Sequence, residues 1–326
     1  MNISEIAALA GVSSATVSRF LNNGYVGQKN REKIQKIIDE TGYIPSAHAQ
    51  TLRTKKTNLI GVILPKISSE AVSRMIEGIS MELTEGGYHI LLGNTDLDIE
   101  KEIEYLNIFK NNQVDGIIFV ATIVTPKHLE VMEKIKVPIV VLGQEVAGYS
   151  CVYHDDYGAA YELTNKFIQS GCKHIAYLGV TEKDIAVGYE RKRGYIQALK
   201  DAHMEIDETL IKIGTFSGVS GYESIEELIK MDKTIDGVFC ATDNIAAGAI
   251  EWMEKHEPTL FEHIRIAGIG DSKISKVITP KLTSMHYYYK TSGKEAAKML
   301  LESMQESGKI MKTVKLGYEL QRRESL

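Results

Sequence analysis

The spacing of apolar residues separates a helical N-terminal segment from a longer segment in which strands and helices alternate. Within residues 3–40, apolar side chains recur at helical spacing in three runs. Gly11 follows the first run, and Ser13 stands where the second helix needs an N-cap. A third helix, about 29–40, ends at Gly42. The pattern predicts a helix-turn-helix followed by one more helix.

From residue 58 onward, short apolar runs alternate with stretches of helical length. Runs such as NLIGVIL and DGIIFVA are apolar at consecutive positions, which is typical of parallel strands covered on both faces. A helix near Glu70–Glu85 is predicted between NLIGVIL and the next apolar run, YHILLGN. The alternation occurs in two blocks, about 58–157 and 172–285. We therefore predict an N-terminal all-α helix-turn-helix domain plus an α/β core of two parallel-sheet lobes.

These patterns place the domain boundaries. The linker SAHAQTLRTKKT is polar and basic, and its one large apolar residue, Leu52, gives it too little apolar surface to fold alone. The predicted regions are a helix-turn-helix domain (1–45), a linker (46–57) and a core (58–326), the core comprising an N-lobe (about 58–170 and 287–317) and a C-lobe (about 171–286 and 318–326).

Charge and composition narrow the class of protein. The 326 residues are 44% hydrophobic and 25% charged, as in an ordinary globular protein. Net charge is −5 overall but +4 within residues 1–57, which indicates a polyanionic partner for the N-terminal domain. The three cysteines are far apart, which favours reduced thiols over disulfides or a metal site. With no leader-like segment and no membrane-length apolar run, we expect a cytoplasmic protein.

The second predicted helix is suited to the major groove of DNA. Small side chains on its exposed face allow close approach to base edges, and Arg19 reaches guanine or phosphate. The helix N-terminus attracts a phosphate, to which hydroxyls there can also donate. The alternative is a helical hairpin that only packs on the core. The expected contact residues are Ser13, Ser14, Ala15, Thr16, Ser18, Arg19 and Asn22.

Three stretches in this order resemble the LacI/GalR family of bacterial transcription regulators. They are ISEIAALAGVSSATVSRFLNN, REKIQKIIDETGYIPSAHAQTLRT and NLIGVILP, and the resemblance extends over essentially the whole chain. It implies a helix-turn-helix head, a hinge helix and a two-lobed core like that of periplasmic sugar-binding proteins. It also implies a dimer on a palindromic operator.

The resemblance assigns roles around the hinge. It implies that Ser14, Ala15 and Arg19 read bases, and that about 46–53 becomes helical when two subunits meet on DNA. Leu52 matches the family's minor-groove wedge, a role in which a lone apolar side chain unstacks a base step; packing on the core is the alternative. Ala49 matches the small position where two hinge helices cross. Phosphate contacts are expected from Arg31, Arg53, Lys55 and Lys56.

Polar residues follow the predicted strands, where the carboxyl ends of parallel strands form a ligand cleft. Carboxylates, hydroxyls and an arginine in this pattern suit a polyhydroxylated ligand. The alternative for each is a helix cap, above all for Asp243 and Asp271. The expected effector residues are Ser69, Glu70, Asp96, Gln144, Asp155, Arg191, Thr242, Asp243 and Asp271.

The family comparison supports part of this set and questions the rest. Arg191 matches a family arginine that holds sugar hydroxyls. The segment DDYG, which begins at Asp155, and the turn that contains Thr242 and Asp243 also match family segments. Gly270 replaces a common acidic sugar contact, and SSEA replaces the usual aromatic residues after the first strand. Tyr195 and tyrosines 287–289 are candidates to compensate, although lobe packing is the commoner role of such residues. The whole chain most resembles the sucrose and fructoside repressors of Gram-positive bacteria.

Three other functions are the alternatives to a sugar-responsive repressor: an enzyme, a transport receptor and a regulator controlled by another protein. The chain has no GxSxG, HExxH, Walker A or dinucleotide motif, which argues against an enzyme. The head argues against a transport receptor. A catabolite-control regulator governed by a phosphorylated carrier protein stays open.

We therefore expect a nucleoid-associated, homodimeric repressor of operator DNA with a small sugar effector, without cofactor, metal or membrane contact. No leucine heptad follows the core, which favours a dimer over a tetramer.

Leu52→Ala tests the wedge. We expect weaker binding to the specific operator, because base-step unstacking is lost, and largely unchanged salt-sensitive binding to unrelated DNA. Titrations of both DNAs at two salt concentrations measure the difference, and an equal loss on both would contradict the assignment.

Overall fold

A computed structural model describes residues 1–22, 24–43, 56–111, 114–231, 234–305 and 310–326. The chain divides into two compact units, Met1–Thr57 and Asn58–Leu326, which are taken in turn. Most of the predicted hinge, including Ala49, Leu52 and Arg53, lies outside the described residues.

The first unit contains three helices, α1 (Ile3–Ala10), α2 (Ser14–Leu21) and α3 (Gln28–Thr41). Asn2 and Glu5 form a reciprocal capping box at the start of α1. These helices enclose a small core of their own, formed by Ile6, Ala7, Ala10, Val17, Ile34 and Tyr43.

The turn between α1 and α2 follows from two residues. Gly11 ends α1 with a left-handed backbone (φ 63°), a conformation that glycine adopts without steric cost. Ser13 then begins α2, its Oγ accepting a hydrogen bond from the Thr16 backbone N–H. The predicted helix-turn-helix is confirmed.

The second unit has two lobes, each built on a six-stranded sheet. In the first lobe the strands run in the order β11-β5-β4-β3-β1-β2, and all pairs are parallel. Its elements are β1 (Leu59–Leu64), α4 (Glu70–Glu85), β2 (His89–Asn94), α5 (Ile99–Asn111), β3 (Gly116–Val120), α6 (Pro126–Glu133), β4 (Ile139–Leu142), β5 (Ser150–His154), and, later in the chain, α11 (Tyr289–Gln305) and β11 (Thr313–Leu316).

The second lobe repeats this plan with the order β12-β10-β9-β8-β6-β7. Its one antiparallel pair joins β10 and β12. Its elements are α7 (Asp156–Gln169), β6 (Ile175–Val180), a π-helix (Ile185–Glu190), α8 (Arg191–Asp201), a 3-10 turn (Glu208–Leu210), β7 (Ile211–Gly214), α9 (Gly218–Met231), β8 (Gly237–Cys240), α10 (Asp243–His256), a 3-10 turn (Pro258–Glu262), β9 (Arg265–Ile269), a 3-10 turn (Ile274–Lys276), β10 (Thr283–Tyr287) and β12 (Tyr318–Gln321).

The central strands are buried along their length, as the apolar runs predict. Every residue of β3, β4, β6 and β8 is buried, because helices cover both sheet faces. The helix expected near Glu70–Glu85 has those bounds. No helix within the described ranges is long and apolar enough to cross a membrane.

The chain crosses between the lobes at three places: residue 155, residues 287–289 and Gly317. One lobe border differs from the expected one. The sequence suggests about residue 170, but α7 packs against α8, so it belongs to the second lobe and the crossing lies near residue 155. A polar residue after β5 begins α7 directly, leaving no linker to mark the true crossing.

Glycines allow the helix layers to pack closely. A Cβ on Gly293 of α11 would lie 2.0 Å from the carbonyl oxygen of Met75 in α4, and one on Gly78 would lie 2.0 Å from that of Lys290. Gly221 of α9 meets the carbonyl oxygen of Ile245 in α10 in the same way. Backbone therefore packs against backbone at these crossings.

Gly293→Ala tests the close packing of α11 on α4. The added methyl group has to push the helices apart, and we expect a loss of about 1–3 kcal/mol in the free energy of unfolding, measured with urea. Gly317→Ala is the matched control, because nothing lies within 4 Å of its Cβ position. Equal stability of the two variants would contradict the packing argument.

Candidate functional site

The exposed face of α2 is the candidate DNA-reading surface. Ser13, Ser14, Ala15 and Arg19 are exposed, whereas Thr16 is half-buried. The hydroxyls of Ser13 and Thr16 lie 2.8 Å apart and hydrogen-bond to each other. Small side chains at the start of the helix leave its backbone open to close approach.

The remaining predicted DNA contacts also support the helix itself. Asn22 is exposed, and its amide donates to the carbonyl oxygen of Ser18, closing the end of α2. The Arg31 guanidinium lies 5.2 Å from the centre of the Phe20 ring, so it packs α3 against α2. A phosphate contact by Arg31 remains compatible with this stacking, since guanidinium edges stay available when a face is stacked.

A cavity of about 260 Å³ lies between the lobes. Much of its lining comes from residues at or just after the carboxyl ends of strands in both sheets, as expected for parallel sheets, and the rest comes from α4, the π-helix and the start of α8. Five of the nine predicted effector residues line it: Ser69, Glu70, Arg191, Thr242 and Asp243.

The other four predicted residues, Asp96, Gln144, Asp155 and Asp271, do not line the cavity. In each case a neighbour does: Leu97, Gly143, Asp156, and both Gly270 and Ser272. The displaced residues lie in turns that follow strands, where Asp96 and Asp271 have φ of 55° and 46°, so strand alternation does not decide which residue of the turn faces the cavity.

Three of the four displaced residues have other partners. Gln144 is buried, and its Nε2 donates to the Thr122 carbonyl oxygen at 2.8 Å. Asp155 caps α7 through the Gly158 N–H and lies 3.5 Å from Lys315. Asp96, in contrast, is exposed.

Asp271 anchors the segment that follows β12. Its carboxylate lies 2.5 Å from Arg323, 2.9 Å from His286 and 3.3 Å from Lys276. Burial raises the pKa of Asp271, but the bonds from Arg323 and His286 outweigh it, and the pKa is lowered overall. The residue is therefore structural, although not as a helix cap.

Asp243 lines the cavity, but its carboxylate bonds to residues of its own lobe. One carboxylate oxygen accepts from the Ser284 hydroxyl at 2.6 Å, and the other accepts from the Ser272 N–H and hydroxyl at 2.7 and 2.8 Å. Burial raises the pKa of Asp243 despite these bonds. Thr242 caps α10 through the Ile245 N–H. The capping alternative thus describes Thr242, while Asp243 fixes the loop after β9.

Arg191 and Asp156 form a buried ion pair at the floor of the cavity. The Nε and Nη2 atoms of Arg191 each lie 2.7 Å from Asp156 Oδ1, which also accepts from the Tyr287 hydroxyl at 3.0 Å. Arg191 Nη1 donates to the Ala241 carbonyl oxygen. The side chains are only 4% and 5% exposed, so the pair is shielded from water.

Asp184 is a cavity residue that the sequence reasoning missed. It caps the π-helix through the Val187 N–H at 2.9 Å. Burial raises the pKa of Asp184 to about 6, partly opposed by that bond and by Arg191. Its position after β6 is the signal that could have identified it.

The aromatic lining comes from Phe216 and from Tyr287 and Tyr289 at the lobe crossing. Two of the three tyrosines at 287–289 therefore reach the cavity. Tyr195 does not line it: the ring is buried in the second lobe, and its hydroxyl donates to the Ile175 carbonyl oxygen.

Two contacts bridge the cavity mouth. The Glu70 carboxylate accepts from the Lys273 backbone N–H at 2.9 Å, and Arg74 donates to the Gly270 carbonyl oxygen at 3.3 Å. Gly270 has φ 136°, a backbone conformation that other residues rarely adopt. The glycine that replaces the family's acidic residue thus presents its backbone to the opposite lobe.

The chain is similar to known proteins in both of its units. The profile described as "Bacterial regulatory proteins, lacI family" matches residues 2–46, and "Periplasmic binding protein-like domain" matches residues 164–326. The sucrose operon repressor of Staphylococcus xylosus is 36% identical over 93% of this chain and 94% of its own. The chain belongs to the LacI family.

Two further relatives agree with this assignment. Catabolite control protein A of Priestia megaterium is 31% identical over 100% of this chain and 99% of its own. The structure of a transcriptional regulator CelR–cellobiose complex has a TM-score of 0.76 and 25% identity, covering 100% and 99% of the two chains. As a LacI-family member, the protein is a DNA-binding transcription regulator and not an enzyme.

Asp184→Asn tests the buried carboxyl while keeping a capping side chain. A pKa raised from 3.8 to about 6 means that the native state holds its proton more tightly than the unfolded state. Wild-type stability therefore falls as pH rises between about 4 and 6. We expect the variant to match wild type below about pH 4 and to exceed it by roughly 3 kcal/mol above pH 7, by urea unfolding.

Asp98→Asn is the control, because this exposed carboxylate also accepts backbone N–H bonds yet stays hydrated. A stability gain at Asp184 that did not change with pH would argue against the buried charge as its cause.

Proposed function

We propose that the protein is a sugar-responsive repressor that binds a palindromic operator as a homodimer and leaves it when a small carbohydrate enters the interlobe cavity. The observation that carries the proposal is a carboxylate-lined cavity between two lobes in a chain that begins with a LacI-type head. Acting on chromosomal DNA, it works in the cytoplasm.

The exposed face of α2 reads the bases. Ser14 and Ala15 bring the helix backbone close to base edges, and Arg19 supplies the long donor for guanine or phosphate. Ser13 and Arg31 contact phosphates, and Leu52 from each subunit enters the minor groove at the operator centre.

Dimerisation compensates for a weakly charged head. A unit of net charge +4 binds DNA modestly, but two linked heads raise avidity by roughly two to four orders of magnitude. Because that gain disappears when the heads cannot engage together, a change in head spacing is enough to release the operator.

The chemistry of the cavity favours hydroxyl groups. Three carboxyl groups line it, those of Asp156, Asp184 and Asp243, together with the guanidinium of Arg191. A phosphate there would meet like charge, whereas hydroxyls can donate to carboxylates. Arg74 lies on α4 and Lys66 in the loop before it, and these are the groups left to meet a phosphorylated sugar.

The size of the cavity favours a small sugar. At about 260 Å³ it is slightly below the range of about 300–1,000 Å³ typical of ligand pockets. Likeness to a sucrose operon repressor supports sucrose, fructose or a phosphorylated derivative.

Regulation follows from lobe closure. Glu70 and Arg74 contact the second lobe across the cavity mouth, so a change in the lobe arrangement alters these contacts. A sugar shifts the equilibrium only by its differential affinity for the two arrangements, typically about 1–3 kcal/mol. That shift separates the hinge helices and lowers operator affinity.

A second candidate is a catabolite-control regulator whose DNA binding is set by a phosphorylated carrier protein. The likeness to catabolite control protein A over the whole chain favours it. In that case the carrier, and not a sugar, would change operator affinity.

The deciding experiment titrates the purified protein on operator DNA with sucrose, fructose, glucose, galactose and the phosphates of sucrose and fructose. We expect one sugar to release the operator, with an affinity loss of about 5- to 150-fold. Fluorescence anisotropy of labelled operator measures the release.

A parallel titration adds the phosphorylated carrier protein alone. Tightening by the carrier, together with no response to any sugar, would transfer the assignment to the second candidate.

A further inference from the structure

His154 lies at the floor of the cavity, at the last position of β5. Its ring stacks on Tyr287, with 4.6 Å between ring centres and 7° between planes, and meets the edge of Tyr289 at 5.2 Å. These contacts fix the orientation of the imidazole before any ligand arrives.

The Nε2 atom of His154 is buried without a hydrogen-bond partner. Among the described residues, only two other buried side-chain atoms share this condition, Tyr177 Oη and Trp252 Nε1, and neither residue lines the cavity. A buried polar atom without a partner costs free energy, and such atoms are rare in native proteins. Its place at a ligand cavity therefore points to a ligand as the missing partner.

The imidazole is neutral. Burial lowers the pKa of His154 to about 4, an effect that the neighbouring Asp156 opposes and Arg191 and His286 reinforce. A bond to the Tyr288 backbone favours the protonated ring, as a carbonyl acceptor does, and falls on Nδ1 because Nε2 has no partner. With its hydrogen on Nδ1, the ring presents Nε2 as an acceptor.

We propose that His154 Nε2 accepts a hydrogen bond from a hydroxyl group of the effector sugar. This inference rests on the proposed function and specifies the chemistry of the same cavity. A ligand atom at this position has to be a donor, which excludes the fully ionised oxygens of a phosphate group there.

The arrangement also supplies acceptors from both lobes. His154 belongs to the first lobe, and Asp184, whose carboxyl lines the same cavity, belongs to the second. A polyol that donates to both joins the lobes directly, so its binding favours one lobe arrangement over the other.

His154→Phe removes the acceptor and keeps an aromatic ring against Tyr287. We expect the sugar concentration for half-release of the operator to rise about tenfold, the size of one hydrogen bond. We expect the midpoint of thermal unfolding to fall slightly, because the change also removes the Nδ1–H that bonds to the Tyr288 backbone. A merely structural histidine would show that fall with no rise in the half-release concentration.

Tyr177→Phe is the matched control. It removes a buried hydroxyl that also lacks a partner but does not line the cavity. We expect its half-release concentration to equal that of wild type.

Monodeoxy analogues of the sugar that releases wild type complete the test. One analogue should need about a tenfold higher concentration than the parent sugar to release wild type, but no higher concentration than the parent sugar to release His154→Phe. Removing the hydroxyl and removing the histidine break the same hydrogen bond. Release of His154→Phe at the wild-type concentration, or equal sensitivity of both proteins to every analogue, would overturn the inference while leaving the proposed function in place. Failure of every sugar to release wild type would overturn both.

Discussion

The buried pair of Arg191 and Asp156 is the interaction on which the cavity depends. It joins the start of α8 to the start of α7, and its remaining bonds reach the end of β8 at Ala241 and the end of β10 at Tyr287. Removing one partner of such a pair leaves a buried charge uncompensated, at a cost of about 3–5 kcal/mol. The arginine that resembles a family sugar ligand is thus also the element that holds the cavity floor together, and a truncation there would confuse loss of binding with loss of structure.

The two lobes share this floor. The face of the Tyr287 ring stacks on His154 of the first lobe, and the Tyr287 hydroxyl donates to Asp156 of the second lobe. At the mouth, Glu70 and Arg74 contact the loop after β9. The lobes thus contact each other at both the floor and the mouth of the cavity, so a molecule that favours one lobe arrangement acts on these contacts.

The sequence predicted the fold far better than the details of the site. Consecutive apolar runs gave the parallel strands, and the bounds of α4 were predicted to the residue. The rule that ligands bind at the carboxyl ends of parallel strands identifies the right turns, but it does not tell which residue of a turn faces the cavity. Asp155 was preferred to Asp156 although only the latter faces the cavity, and Asp184 went unnoticed. No sequence signal marks His154, because an unpartnered nitrogen is a property of three-dimensional packing. The roles of Ala49, Leu52 and Arg53 remain predictions.

The separate core of the N-terminal unit has a consequence for how such regulators diversify. Ile6, Val17, Ile34 and the other members of that core all lie within the first 43 residues. The residues that pack the candidate DNA-reading helix and those that pack around the interlobe cavity therefore form separate cores. Selection can alter one without repacking the other, so a gene duplicate can acquire a new inducer while still recognising its old promoter, or the reverse.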